Sequence, residues 1–443
     1  MRYIKTLLNK LVMIRFFNNT FARKIRRYQN KRQCGKNVFV KNVLHVNTFD
    51  GVGGAAIIAN SLCRGLLNKG INSKMLVSQS VSNDNYVEPL KIRKYFGHRL
   101  FKYFKRYNDW NDLFNVSSLV SIRQHEVFKQ SDIVHLHNIH GGYFNPVILP
   151  ELTSLKPFVW TLHDTQELSF PCETFETCTK VKDNCINCDY INEELFSTKD
   201  YFIWMKKKEI FDSSTFTIVC PSLWLKKQVE HSFLKNQKIE IIYNGIDTSI
   251  FNENCAAGRE ELELPEDKFI LLFAAHGGLK NPWKGGEFIY KIYNELKHID
   301  NLYFICVGGE ETRLIEKNFK EVAYVKNKSD MAKYYALSDL FVYPSVKDVF
   351  GLVVAESLAC GTPVITYNTG GIPELVEHMN TGYLAQQGDL ADLIQGILYF
   401  YNNQELRKEI EHRGPLLMQK KFSIDKMVDN YIELYNRIIQ ENA

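Results

Sequence analysis

The 443-residue chain is longer than one hydrophobic core usually supports, because cores stop growing beyond roughly 250 to 300 residues, so two domains are expected. A composition of 45 % hydrophobic and 24 % charged residues, with no repeat or low-complexity tract, excludes a disordered chain, and ten cysteines are too few for a disulfide scaffold. The net charge of +5 is small but unevenly distributed.

The amino-terminal segment is strongly basic. Residues 1–49 hold twelve lysines or arginines and no acidic residue. Lys10 and Arg15 interrupt its apolar residues, so it lacks the roughly 20 consecutive apolar residues of a membrane-spanning helix and also the pattern of a secretory signal. Two interpretations stay open: a basic amphipathic segment resting on an anionic membrane, and a solvated arm. The scattered cysteines favour the cytoplasm.

The first structured region reads as a repeating strand and helix pattern. Residues 38–46 form a short apolar run rich in β-branched residues, which predicts a buried parallel strand. A glycine cluster at 51–54 follows, then a helical pattern that ends at Gly70, then a strand at 73–79. Further strands are predicted at 132–138, 157–164 and 216–222. This order is typical of a doubly wound α/β domain.

A second series of the same kind begins after a polar connector near residues 252–268. Its strands are predicted at 269–275, 302–309, 322–327, 340–345 and 363–368. Two such series predict an α/β protein with two doubly wound, Rossmann-like domains that face each other across a central cleft. Ligands bind at the carboxyl ends of such strands, so the loops that follow them should carry the chemistry.

The most informative loop follows the strand at 340–345. Asp348 and Glu356 flank Gly351, where a helix is expected to begin. The free N–H groups and positive dipole end of that helix suit a diphosphate. Glu356 could then accept hydrogen bonds from ribose hydroxyls, and Asp348 from hydroxyls of a sugar. Spacing alone would equally fit two solvent-facing acids beside a core helix.

The residues themselves resemble the family-4 retaining glycosyltransferases, which have the GT-B fold. The mark of that family is an acidic pair with seven residues between its members, around Phe-Gly. Here it is Asp348, Phe350, Gly351 and Glu356, followed by Ala-Cys-Gly-Thr-Pro-Val and by Gly370, Gly371, Pro373 and Glu374. The first acid is usually Glu in the family. The resemblance implies donor contacts from these residues and from Leu352 and Val353, in the first turn of the helix.

Other positions agree with the same family. Gly53 and Gly54 resemble its glycine turn, which lets backbone N–H groups approach the donor phosphate or acceptor. His163 stands where relatives keep a histidine beside the transferred sugar, with Asp164 as a neighbour. A histidine at a strand end is by itself more often structural.

In the second domain, Lys284 and Gly285 resemble the family's Lys-Gly, whose ammonium neutralises the leaving diphosphate. The family's nearby arginine is missing, and His276 or Lys280 could substitute. Tyr324 and Val325, followed by Lys326, occupy the position that frames the nucleotide base. The alternative for Lys284 is a solvated surface lysine.

Four cysteines form a separate cluster, Cys172, Cys178, Cys185 and Cys188. Two of them make a Cys-x-x-Cys pair, and the spacing suits a tetrahedral structural zinc site. Two disulfides or four free thiols are the alternatives. A branch of family-4 enzymes acting in bacterial surface polysaccharide synthesis has a similar cysteine-rich insertion.

Residues 91–107 interleave eight basic or histidine residues with aromatic residues. In the first domain of such enzymes this is the acceptor side, which favours a docking face for an anionic membrane or a lipid-linked acceptor. A nucleic-acid patch or an amphipathic surface helix would look similar. No nucleic-acid partner is expected.

The resemblance also implies a domain organisation. It comprises a basic arm at 1–37, an acceptor-side domain at 38–236 with the cysteine-rich insertion at 170–190, a donor-binding domain at 237–421, and a C-terminal helix at 422–443 that crosses back to the first domain. No Asp-x-Asp triplet, the usual metal-binding signature of the other large glycosyltransferase architecture, is present.

The expected activity is that of a retaining, metal-independent, peripherally membrane-associated glycosyltransferase. It would move a sugar from a nucleotide-sugar donor to a glycan or lipid-linked acceptor in capsule, O-antigen or exopolysaccharide synthesis. A nucleotide-sugar epimerase with the same fold, or an inactive GT-B scaffold, are the alternatives.

Overall fold

The computed structural model describes residues 39–90, 122–141, 143–169, 199–255 and 258–442. The basic arm at 1–37, the stretch at 91–107 and the insertion at 170–190 with its four cysteines lie outside these ranges. The expectations attached to them, membrane contact and structural zinc, stay predictions.

The first sheet has seven strands, all parallel, in the order β3-β2-β1-β4-β5-β6-β7. The strands are β1 (Asn42–Phe49), β2 (Asn72–Gln79), β3 (Val87–Pro89), β4 (Ile133–Leu136), β5 (Phe158–Thr161), β6 (Thr217–Cys220) and β7 (Lys238–Ile241). The strand order reverses between β1 and β4, and such a switch point opens a crevice at the carboxyl ends of the strands.

The helices of this half cover both faces of the first sheet. They are α1 (Gly54–Asn68), α2 (Glu126–Gln130), α3 (Leu149–Leu155), α4 (Lys199–Asp212) and α5 (Leu223–Glu230). Alternate strand residues face opposite clusters: Val43, Ile133 and Val159 pack with α1, while Leu44 and Val134 pack with the cluster that includes α3, α4 and α5. Burial on both faces explains the nearly continuous apolar runs of the sequence.

The second sheet also has seven strands, in the order β10-β11-β9-β8-β12-β13-β14, and only β10 is antiparallel to its neighbour. The strands are β8 (Phe269–Ala274), β9 (Leu302–Gly309), β10 (Arg313–Glu316), β11 (Phe319–Ala323), β12 (Leu340–Tyr343), β13 (Val364–Tyr367) and β14 (Gly382–Ala385). Its switch point lies between β8 and β12. The predicted fold class, two doubly wound α/β units, is confirmed.

The remaining helices are α6 (Gly286–Leu296), α7 (Lys328–Ala336), α8 (Leu352–Ala359), α9 (Leu390–Asn402), α10 (Gln404–Phe422) and α11 (Ile424–Asn442). The last of them, α11, leaves the second sheet and packs against β1, β4 and α1 of the first. At the crossing point the amide of Ile246 donates to Phe422 and the amide of Ile424 donates to Ile246, so two chain connections run side by side.

Two details of the strand prediction were wrong. The strand expected at 322–327 lies at Phe319–Ala323, because the core-facing residues of this strand are Phe319 and Val322 and the segment after it runs out to the surface. The short strands β3, β7, β10 and β14 were not predicted. They lie near the edges of their sheets, where few buried apolar residues are required.

No helix in the described ranges is both long enough and apolar enough to cross a membrane.

Candidate active site between the two sheets

The amino end of α8 lies at the centre of the candidate site. The strand β12 ends at Tyr343, and the chain turns through Gly351, whose φ of 93° is in the left-handed region that favours glycine. No side chain among the described residues caps this helix start. The amides of Leu352 and Val353, in its first turn, have no capping side chain and are free to meet an anion, so their predicted contact with a donor phosphate stays a prediction.

Lys284 and Asp348 meet directly at this helix end. The Lys284 Nζ lies 2.6 Å from Asp348 Oδ2, and the Tyr343 hydroxyl donates to the same oxygen at 2.8 Å. The amide of Phe350 donates to Asp348 Oδ1 at 3.2 Å. The structure thus joins two residues that were assigned separate roles, and Asp348 holds the ammonium in place beside the helix end.

The pair is ionised. Burial alone would raise the pKa of Asp348, but the charge and hydrogen bond of Lys284 lower it below its usual range. Burial alone would lower the pKa of Lys284, but the Asp348 carboxylate raises it. The Lys284 side chain keeps 33 % of its surface exposed and Asp348 only 15 %, so Lys284 is the partner that stays partly open to solvent.

Glycines hold this pair by close backbone contacts. A Cβ on Gly370, whose φ is 56°, would lie 1.8 Å from the Asp348 carbonyl oxygen, and Gly371 donates its amide to the same carbonyl at 3.0 Å. A Cβ on Gly285, whose φ is 82°, would lie 2.2 Å from the carbonyl oxygen of Pro344. Glycine is therefore required at these positions because the neighbouring backbone leaves no room for a Cβ atom.

Glu356 lies one turn into α8, on the same face as Leu352. Its Oε2 accepts a hydrogen bond from the Tyr335 hydroxyl at 3.3 Å, and burial raises the pKa of Glu356 to about 7. Phe350 is different: its ring is 3 % exposed and packs against Phe422, so only its backbone reaches the site.

The first sheet contributes the loop after β1. Gly53, with a φ of 84°, precedes α1, and both Gly53 and Gly54 are exposed. A Cβ on Gly54 would lie 3.4 Å from Leu352 Cδ1 of the second half. The predicted glycine turn therefore faces the start of α8 across the cleft.

The predicted base-binding residues lie at the carboxyl end of β9 and β11. The Tyr324 amide donates to Gly309, and its ring, 54 % exposed, packs edge-on against His276 with centroids 5.3 Å apart. Val325 packs partly into the core. Lys280, considered as a substitute for the missing arginine, instead pairs with Glu310 at 3.0 Å.

His163 follows β5 and joins a row of histidines. Its Nε2 lies 3.0 Å from His137 Nδ1, and His137 Nε2 lies 3.0 Å from His45 Nδ1. His135, beside them, contacts the hydroxyls of Tyr435 and Thr161 at 2.6 and 2.7 Å. Only His163 is partly exposed, at the cleft end of the row.

Asp164 points elsewhere. Its Oδ2 lies 3.1 Å from His140 Nε2 and its Oδ1 accepts the Gln166 amide. Burial alone would raise the pKa of Asp164, but the hydrogen bond and charge of His140 lower it. Asp164 therefore orders the loop that follows β5.

The buried histidines make the fold sensitive to acid. Burial lowers the pKa of His45 to about 3 and that of His163 to about 4, against about 6.5 in an unfolded chain. Below pH 6.5 the unfolded state binds protons that the folded state does not. We expect the free energy of unfolding to fall as the pH drops, by up to ~1.4 kcal/mol per pH unit for each ring.

Urea unfolding between pH 7.5 and 5 measures this slope. His45→Asn should make it shallower, whereas His412→Asn, which changes an imidazole that is 78 % exposed, should leave it unchanged. If the free energy of unfolding changes with pH equally in the wild type, His45→Asn and His412→Asn, the buried His45 is not a cause of the acid sensitivity.

Glu374 connects the two halves. Its Oε2 accepts the amide of Leu223 at 2.8 Å and its Oε1 accepts the amide of Trp224 at 3.0 Å. Ser222 Oγ accepts the amide of Leu225 at 3.2 Å. A carboxylate of the second half thus completes the cap of α5 in the first, which explains a motif residue whose role the sequence left unassigned.

Removing this cap should loosen the contact between the halves. We expect Glu374→Ala to lower the free energy of unfolding by about 1 to 3 kcal/mol, because two amides at a helix start lose a charged acceptor. Urea unfolding measures the change. Glu377→Ala is the control, since Glu377 is exposed and its carboxylate accepts a hydrogen bond from nearby Asn380, three residues along the chain. A cost equal to that of the control would exclude the capping role.

Sequence reasoning missed His45 and His137 as members of the site, and Tyr343 as a partner of Asp348. A signal existed for the histidines, because imidazoles within otherwise apolar buried strands must find hydrogen-bond partners. The partners themselves lie on other strands and could not be named.

Two family models match the chain. Residues 52–250 match the model described as glycosyltransferase family 4, and residues 256–416 match the model described as glycosyl transferases group 1. The matched segments include the glycine turn, His163 and the whole motif around α8.

Curated relatives match over shorter regions. N-acetyl-alpha-D-glucosaminyl L-malate synthase of Bacillus anthracis is 26 % identical over 220 residues, which are 48 % of this chain and 57 % of that protein. The capsular polysaccharide biosynthesis glycosyltransferase CapM of Staphylococcus aureus is 26 % identical over 261 residues, 55 % of this chain and 67 % of that protein. The chain spans little more than half the length of the first curated relatives that it matches.

Among solved structures, Anabaena HepE in complex with UDP and glucose superposes with a TM-score of 0.60 at 16 % identity, over 89 % of this chain and 99 % of that one. At 16 % identity, this structural similarity shows that the two chains share a fold.

Proposed function

Because the chain belongs to the glycosyltransferases that these two family models describe, we propose that it transfers a sugar from a nucleotide-sugar donor to a glycan or lipid-linked acceptor. We place this reaction in cell-surface polysaccharide synthesis, a proposal supported by the likeness to a relative named for capsular polysaccharide biosynthesis. Retention of the anomeric configuration is part of the proposal.

One observation carries the proposal. The ammonium of Lys284 is held by Asp348 beside the uncapped amino end of α8, and the glycine turn of the first half faces that end. A fixed cation and free amides stabilise the negative charge that grows on a leaving diphosphate. A structural neighbour solved with UDP supports this assignment.

The other residues would then take the following positions. Glu356 would accept the ribose hydroxyls, and Tyr324 would border the base. His163 would lie beside the transferred sugar. Closure of the two halves would exclude water, which otherwise competes as acceptor. Lys284 and the amino end of α8 would neutralise the diphosphate charge that a metal ion neutralises in other glycosyltransferases.

Two measurements test the proposal. A nucleoside diphosphate that binds only the folded protein raises its melting temperature by mass action, so a panel of UDP, GDP and ADP should reveal the base. Turnover of nucleotide sugars with added acceptor glycans should then release that diphosphate. No stabilisation and no release with any donor would support an inactive scaffold, and epimerised donor without transfer would support an epimerase.

A chelator separates catalytic from structural metal. Metal-independent transfer predicts an unchanged rate with chelator. A rate that falls together with the melting temperature would indicate loss of the zinc predicted at the four cysteines. A rate that falls at unchanged stability would contradict metal-independent catalysis.

We further propose that the protein works peripherally on the cytoplasmic face of a membrane, because residues 1–49 and 91–107 are strongly basic. Deleting residues 1–36 and reversing the charges in 91–107 should abolish binding to vesicles of anionic lipid. Unchanged binding would exclude this role.

A further inference from the structure

The row formed by His45, His137 and His163 leads from the core of the first sheet to the cleft. Its two hydrogen bonds are both 3.0 Å long, and neighbouring rings along it are nearly parallel, with interplanar angles of 24° and 21° and centroids 5.3 Å apart. His45 and His137 are 0 % and 1 % exposed. Burial keeps all three rings neutral at pH 7 by lowering their pKa.

Neutral rings allow only two proton arrangements. Each ring carries one N–H, and each of the two hydrogen bonds needs one proton. Either every ring is protonated on Nδ1 and the bonds point toward the cleft, or every ring is protonated on Nε2 and they point into the core. The tautomers of the three rings are therefore linked.

The buried end of the row distinguishes the two arrangements. The Nε2 atom of His45 is buried and has no hydrogen-bond partner among the described residues. Protonation on Nε2 throughout would leave an N–H group orphaned there, and buried orphan N–H groups are rare in folded proteins. Protonation on Nδ1 leaves only a lone pair at that point.

We propose that His45 and His137 are positioning residues that fix His163 in its Nδ1–H tautomer. The Nε2 lone pair of His163 is then occupied by His137, and its Nδ1, which has no hydrogen-bond partner in the described part of the chain, carries the proton. His163 therefore offers the cleft a hydrogen-bond donor and no base. The group that binds His163 is therefore an oxygen that accepts a hydrogen bond. That this oxygen belongs to a nucleotide sugar rests on the proposed function; the tautomer does not.

The decisive variants change His45, which does not contact His163. An asparagine side chain can keep an N–H near the position of Nδ1, whereas aspartate, which has the same shape, presents only acceptor oxygens there. Long-range ¹H–¹⁵N correlation of ¹⁵N-histidine-labelled protein reads the tautomer directly, with His163→Asn to assign the signal. We expect Nδ1–H for His163 in the wild type and in His45→Asn, and a change to Nε2–H in His45→Asp, where the new carboxylate accepts the proton of His137 Nε2 and His137 Nδ1 then accepts from His163.

Kinetics supply the second readout. We expect His45→Asp to lower kcat/KM for the nucleotide sugar by about two- to tenfold, the worth of one hydrogen bond, and His45→Asn to keep most of the wild-type value. The Kd of the nucleoside diphosphate, which lacks the sugar, should stay the same in both. The NMR result needs no substrate, so absence of turnover would refute the proposed function and leave the tautomer assignment standing.

Three results would overturn the proposal. One is an Nε2–H signal for His163 in the wild type, and another is an Nδ1–H signal for His163 in a folded His45→Asp. If His45→Asp does not fold, His137→Asp against His137→Asn gives the same comparison, because His137 contacts His163 directly. The third is a stoichiometric metal ion that the wild type holds and His45→Asn loses, because possible ligand atoms of His45, His135 and His137 lie within 4.8 Å of one another.

Discussion

Replacement of Lys284 by methionine is expected to lower kcat for sugar transfer by about 10² to 10³, the usual cost of removing one preorganised electrostatic group from a transition state. Methionine keeps the length of the side chain and removes the charge that Asp348 holds beside the amino end of α8. Initial rates of nucleoside diphosphate release measure the effect. Lys280→Met is the matched control, since Lys280 pairs with Glu310 on the surface, and it should keep the wild-type rate.

The same substitution also leaves the Asp348 carboxylate largely buried without its cation, which costs stability. The double variant Lys284→Met/Asp348→Asn removes both charges. We expect it to recover the stability lost by Lys284→Met while the rate stays low. Full recovery of the rate, or a kcat for Lys284→Met within threefold of wild type, would exclude the proposed role of the ammonium.

Replacement of Gly370 by alanine is the second large effect. The new Cβ would lie 1.8 Å from the Asp348 carbonyl oxygen, in a backbone conformation with φ of 56°. Because the obstacle is backbone, it can only be relieved by moving the loop that carries Asp348. We expect a loss of roughly 3 to 5 kcal/mol in the free energy of unfolding and loss of transfer activity in the protein that still folds.

Gly388→Ala measures the cost of a left-handed backbone conformation in the absence of a steric clash. Gly388 has a φ of 78°, but a Cβ there would meet no atom of the described residues within 4 Å. Its cost should be about 1 kcal/mol, from the left-handed conformation alone. Urea unfolding of both variants measures the difference, and equal midpoints would show that the contact between Gly370 and Asp348 does not constrain the loop.

The local parts of the site could be predicted well. The start of a helix just after Gly351 could be predicted because this glycine lies between a buried strand and an apolar helical pattern. The positions of Asp348 and Glu356 before and within that helix follow from the same few residues. Such features depend on neighbours in the chain, whose hydrophobic periodicity and turn residues are visible in the sequence.

The sequence by itself determined the two doubly wound units, because alternating apolar strand and helix patterns admit few other arrangements. Tertiary structure alone decided which side chains meet. Lys284 reaches Asp348 across 64 residues, His45 reaches His137 across 92, and Glu374 caps a helix 150 residues earlier. Those contacts depend on strand order, register and the crossing of α11, which are settled by packing of the whole core and which no local pattern encodes.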